Sequence, residues 1–231
     1  MRRVSGVLLL LCTICVGQDP APRTVSAIPH KEILSNQRVT VSLMELAPGV
    51  ATPMHQHDRD MLSVYVSGGR TRNTQFSRKS AADKTEPGQV RFRPAGYSHA
   101  VENVGKEPYR LVMVEFADPQ GKIKNIGTFS HRCNPEKSTA CIDEKNLFCT
   151  AKVCVQDVVM APSAATSEHS HATDHMIVAI SDFEMTDEAE GKKPSARNYK
   201  NGEVTYVAAG LKHRLTNTGK TPAHFTVIVW R

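Results

Sequence analysis

The chain has 231 residues, 40% hydrophobic and 23% charged, an ordinary globular balance with ample material for a core. Its formal charge of +6 is too mild and too scattered to point to nucleic acid or a membrane surface as a partner.

In chain order, Met1-Arg2-Arg3 opens a basic start, followed by the apolar run Val7 to Val16, then Gly17 and the polar Gln18-Asp19-Pro20. The run is too short to cross a bilayer as a helix, and the pattern is that of a secretory signal peptide over residues 1–17. Cleavage near Gly17 removes Arg2 and Arg3, leaving 27 basic against 23 acidic residues, a mature charge of +4. The expected location is secreted or periplasmic, with no membrane attachment after cleavage.

Residues 18–37 read as an N-terminal arm. From Arg38 the chain repeats itself. RVTVSLMELAPG at Arg38 matches KVCVQDVVMAPS at Lys152, a separation of 114. The same separation carries His55 and His57 onto His169 and His171, His99 onto His213, and Asn103 onto Asn217. One constant offset without a gap defines two units, 38–117 and 152–231. Each reads as short strands rich in β-branched residues, punctuated by Gly, Pro and Asn, with no convincing helical period. That pattern predicts an all-β sandwich or barrel.

Between the units, residues 118–151 read as a linker. Of six cysteines, Cys12 and Cys15 leave with the signal; Cys133, Cys141, Cys149 and Cys154 remain. Clustered cysteines in an exported chain predict disulfides, with three pairings open. A four-cysteine zinc site is the competing reading, but only Cys149 and Cys154 are close.

The chemistry lies in the histidines. His-x-His in a strand points two imidazoles to one face, and a third histidine follows the Pro94-Ala95-Gly96 turn. This set, present twice, predicts a metal site in each unit: His55, His57 and His99 in the first, and His169, His171, His175 and His213 in the second. Imidazole donors suit a divalent transition metal: iron, zinc, nickel or copper. Asp60 and Asp174, next to the clusters, are expected to point away from them in a regular strand. Glu102 and Glu168 flank ligands and are expected mainly at the surface. No catalytic residue and no organic cofactor site can be named.

The spacing resembles the cupin family. Gly49, His55, His57 and Gly68 fit that family's first motif, and Gly88, Pro94, Gly96, His99 and Asn103 fit its second throughout. The second unit fits with Gly202, Gly210, His213 and Asn217, but has Ala208 for the proline and Ser163 and Asp182 for the two glycines of the first motif. The resemblance implies a bicupin: two tandem, jelly-roll-like conserved β-barrels, each with a metal pocket inside. The family's glutamate ligand falls on Met61 and His175, so neither site has its usual carboxylate. This disfavours manganese and leaves the ion at full charge, suited to a small anionic or oxygen-chelating molecule. Three-histidine iron centres occur among cupin-like dioxygenases. The leading expectation is therefore a metal-dependent dioxygenase; the alternatives are a non-catalytic metal or ligand carrier and a storage protein. Members of the family exist as single chains and as homo-oligomers, and the sequence does not choose.

Overall fold

The computed structural model describes residues 23–24, 30–76, 78–124, 130–131, 133–138 and 141–231; the signal-peptide reading lies outside them. Two units of paired sheets follow one another. In the first, one sheet runs β1 (Arg23–Thr24), β4 (His55–His57), β9 (Tyr97–Asn103), β6 (Gly69–Gln75), β7 (Ala81–Thr85). The other runs β2 (Lys31–Ser35), β3 (Val39–Leu46), β10 (Tyr109–Phe116), β5 (Met61–Tyr65), β8 (Val90–Arg93).

The second unit copies this order. β14 (His169–Ser170), β19 (Lys212–Asn217), β16 (Phe183–Ala189) and β17 (Ser195–Tyr199) form one sheet. β11 (Ser130–His131), β12 (Ile142–Cys149), β13 (Val153–Met160), β20 (Ala223–Trp230), β15 (His175–Ala179) and β18 (Val204–Val207) form the other. The pairing is antiparallel except for β1 with β4. The fold is all-β, two tandem barrels, as the spacing predicted.

The sheets that face each other between the units are apolar on both faces. Along β10, Leu111 and Met113 point into the first barrel, while Val112, Val114 and Phe116 point toward the second unit. On β20, Phe225 and Val227 fill the second barrel, and Ile228 and Trp230 meet the first unit. A single central core thus joins residues of both units, with Phe116 and Trp230 ring centroids 6.5 Å apart. The two-sided burial explains why VMVEF and TVIVW read as near-continuous apolar runs rather than clean alternation.

The repeat reaches further than the matched sequence. β2 lies in the stretch read as an arm and β12 in the stretch read as a linker, yet both belong to the central sheets, β2 paired with β3 and β12 with β13. Both break register at the same place, between Glu32 and Leu34 and between Asn146 and Phe148. Both then turn on a side-chain cap: Asn36 accepts from the Arg38 and Val39 amides (2.8 and 3.0 Å), and Thr150 from those of Lys152 and Val153 (3.2 and 3.1 Å). Charged residues hid these strands from a periodicity reading.

The cysteines form Cys133–Cys141 and Cys149–Cys154. The second joins directly paired residues of the β12–β13 hairpin. Among the described residues, no helix is long and apolar enough to cross a membrane.

Candidate metal centres

β4 places His55 and His57 on one side, and its antiparallel neighbour β9 sets His99 directly opposite His55. The three rings converge by their Nε2 atoms: His55 to His57 is 3.2 Å and His57 to His99 is 3.1 Å. Donors about 2.1 Å from an ion sit roughly 3.0–3.4 Å from one another in octahedral or tetrahedral geometry. In the second unit β14 and β19 set His169 opposite His213, and with His171 they form a group whose ligand atoms lie within 4.8 Å of one another.

The proton positions favour a cation at both clusters. The His55 Nδ1–H donates to the Pro53 carbonyl (2.9 Å), so its neutral ring turns a lone pair inward. His57 Nε2 has one in-plane position and faces two other Nε2 atoms, so it can satisfy at most one of them by a hydrogen bond. His169 Nδ1 donates to the Ser167 carbonyl (2.9 Å), and His213 Nδ1 to the Asp187 carboxylate (3.0 Å). Two more lone pairs therefore face inward, and His213 Nε2 is buried with no hydrogen-bond partner. Buried lone pairs pointing at one another are costly unless a positive charge lies between them. These residues fit a divalent metal held by imidazole.

Burial favours the neutral form of four of the rings. Desolvation, opposed by the Pro53 hydrogen bond and helped by His57, lowers His55 to about 4. Desolvation, with the neighbouring imidazoles and Arg93, lowers His99 to about 2. Desolvation and the other histidines lower His175 to about 4, and lower His171 as well.

The remaining sequence-named residues separate cleanly. Met61 is buried beside the first triad, its side chain lining the same small cavity. His175 packs against His171, tilted at 4.0 Å between centroids, but lies outside the 4.8 Å ligand group; its Nδ1 is buried without a partner. Asp60 accepts from the Ala95 amide (2.8 Å) and Asp174 from the Ala209 amide (2.9 Å). Both aspartates thus brace the turn leading to the third histidine instead of facing an ion. In that turn Gly96 has φ +82°, a conformation that favours glycine, and its amide donates to the His57 carbonyl at 2.7 Å. Asn103 and Asn217, both fully buried, tie the following turns to β3 and β13. Glu102 pairs with Arg72 and Glu168 with Lys212.

Spacing gave no hint of Asn73 and Asp187, the groups behind the third histidines. They sit at matching positions on β6 and β16, 26 residues from their partners. His224 pairs with Asp157 at 2.7 Å and packs against Gly88 of the first unit.

The two centres differ most in the space around them. The first faces a cavity of about 30 Å³, hemmed by Tyr65, Tyr109, Met44 and Met113. The equivalent positions in the second unit are the smaller Ala179, Ala223, Val158 and Val227. There the triad opens on a cavity of about 890 Å³, walled by Ile177, Leu215, Phe225 and Val229 and edged by Cys133–Cys141.

Comparison with known proteins agrees with this picture. The family model described as Cupin matches residues 19–135. No curated protein matches the chain. AerE from Microcystis aeruginosa has a similar structure, with a TM-score of 0.64, 11% identity, and 88% of this chain and 98% of that chain covered. Bacillus subtilis oxalate decarboxylase, studied for its Mn(II) centres, gives a TM-score of 0.59 at 16% identity, covering 92% and 78%. A cupin 2 conserved barrel domain protein from Leptotrichia buccalis gives 0.52 at 12% identity, covering 92% of both chains. At these identities the likeness is one of fold.

Proposed function

The chain belongs to the cupin family, and from that premise we propose that it is an exported, metal-binding bicupin whose second barrel acts as a metal-dependent oxygenase on a small molecule. The reading is carried by the convergence of neutral imidazoles in both barrels, set against a cavity of about 890 Å³ in only the second. A divalent ion on three neutral ligands keeps its full charge and supplies Lewis acidity and a template for oxygen donors.

The chain's own residues set the rest. The apolar walls exclude water and fit an apolar body, so the molecule has an anionic or oxygen-chelating head and a hydrocarbon or aromatic remainder. His175 lines the same space with its ring held neutral, placed to accept a proton from what binds there. Glu144, tied to Gln156 at 2.8 Å, offers a polar contact on the wall. The first barrel, with room for about one water, holds its ion without a substrate. The two disulfides and the basic-apolar N-terminus support export.

A metal or ligand carrier without turnover is the second reading. It draws on one observation: among the described residues lining the large cavity, the only carboxylate is that of Glu144, already hydrogen-bonded to Gln156. Metal analysis of protein purified without a histidine tag separates the two. The proposal expects about one ion per barrel, with iron, nickel or copper in the second. His99→Ala should empty the first barrel alone and His213→Ala the second alone. Tightly held zinc in the second barrel favours the carrier, and metal-free protein contradicts both.

A further inference from the structure

Outside the first triad lies a second space of about 410 Å³ whose walls are cationic. Arg78, Lys79, Arg91 and Arg93 line it against the single carboxylate of Asp83, a net charge of +3. Arg91 and Arg93 are two residues apart on β8 and so point to the same side. Arg91 is committed to the fold: its fork grips the Asp83 carboxylate, and it stacks 5.3 Å from the Tyr65 ring centroid. Arg93 makes no ion pair among the described residues. It lies 5.1 Å over Tyr97, half-buried, with one contact to the Phe92 carbonyl at 3.2 Å. A partly desolvated, stacked guanidinium without a carboxylate is a ready anion receptor.

This character is not inherited from the repeat. The positions of Arg91 and Arg93 in the second unit hold Thr205 and Val207, and that of Asp83 holds Arg197. The space also has a dead end. It shares Asn73, Asp83 and Arg93 with the cavity of about 30 Å³ at the triad, so a molecule larger than a water stops in the outer chamber.

We propose that this mouth of the first barrel is a binding site for a small, doubly charged oxyanion, gripped by Arg93 and steered by Arg91, Arg78 and Lys79. The Gln75 amide supplies a neutral donor beside it. A chamber of this size exceeds what a halide needs and suits hydrogen phosphate or a short dicarboxylate with some water. The inference does not depend on a metal, because none of the gripping residues belongs to the triad.

The test is titration calorimetry on the full chain with hydrogen phosphate, malonate and the neutral analogue malonamide. One or both anions should bind, weakening as salt rises, and malonamide should not; which anion binds more tightly identifies the source of the charge. Arg93→Gln should weaken binding at least tenfold. The exposed pair Arg78→Gln/Lys79→Gln should weaken it several-fold without moving the melting temperature. The double variant His99→Ala/His213→Ala should bind as the unaltered chain does. Binding lost in that double variant would place the anion on the metals and overturn the proposal. So would equal binding of malonamide, an affinity indifferent to Arg93→Gln, or no binding of either anion.

Discussion

Behind the third histidine the two centres carry different partners, an amide in the first and a carboxylate in the second. Asn73 Nδ2 lies 3.3 Å from His99 Nδ1, and Asn73 Oδ1 is buried without a partner. Asp187 accepts from His213 Nδ1 at 3.0 Å, which fixes the tautomer and the orientation of the Nε2 that faces the cluster. Asp187→Asn should therefore weaken metal binding in the second barrel by about 10–100-fold and leave the first untouched, as read by competition with a chelator. An unchanged affinity would show that the carboxylate does no more than anchor the loop. The same histidines set the acid response. His55 and His175 fall to about 4 in the folded chain against an ordinary value near 6.5. Between those values the unfolded chain binds more protons than the folded one, so stability rises with pH and is lost as pH drops from about 6.5 to 4. His99, lowered to about 2, extends the loss further down. Metal-free protein should thus show a lower urea midpoint at pH 4.5 than at pH 7; equal midpoints would mean the rings are not buried in neutral form. At this scale the two histidine triads were legible because strand period and a repeated turn motif encode them. Asn73 and Asp187 were not, because their role exists only once β6 lies beside β9, and β16 beside β19.

Among the elements, the strands rich in valine, isoleucine and aromatic residues announced themselves, while KEILS and IDEKNLFC did not. Both strands carry charged residues on an exposed face, so β2 and β12 are betrayed mainly by Ile33-Leu34 and Leu147-Phe148. The turns are where substitutions discriminate. Gly88 and Gly96 have equal φ values of +82°, but a Cβ at Gly96 meets open space, while one at Gly88 falls 2.7 Å from the His224 ring and 3.0 Å from Asp157. Gly96→Ala should cost about 1–2 kcal/mol for the left-handed backbone alone. Gly88→Ala should cost clearly more, because the interface pair must also move; denaturant melts of the two variants give the comparison. Equal losses would mean that the His224–Asp157 pair yields freely.

As a whole molecule, the protein is two matching shells fused through their apolar backs, with the histidine clusters on the far sides of a common core. Arg110 reaches across to Asn201, whose amide donates to the carbonyls of Val66 (2.7 Å) and Ile180 (2.6 Å), so polar ties flank the apolar layer. The two units share one frame and differ in a few large side chains, which close the first chamber and leave the second open. The offset of 114 revealed the frame; the difference in chamber volume depends on how Tyr65 and Tyr109 pack together, which no spacing encodes. The proposed function requires imidazoles to meet around an ion in each shell. X-ray absorption at the edge of the bound metal tests this most directly. Three imidazole nitrogens per ion at about 2.0–2.2 Å is the predicted inner shell, and a shell of oxygen or sulfur without imidazole scattering would contradict it.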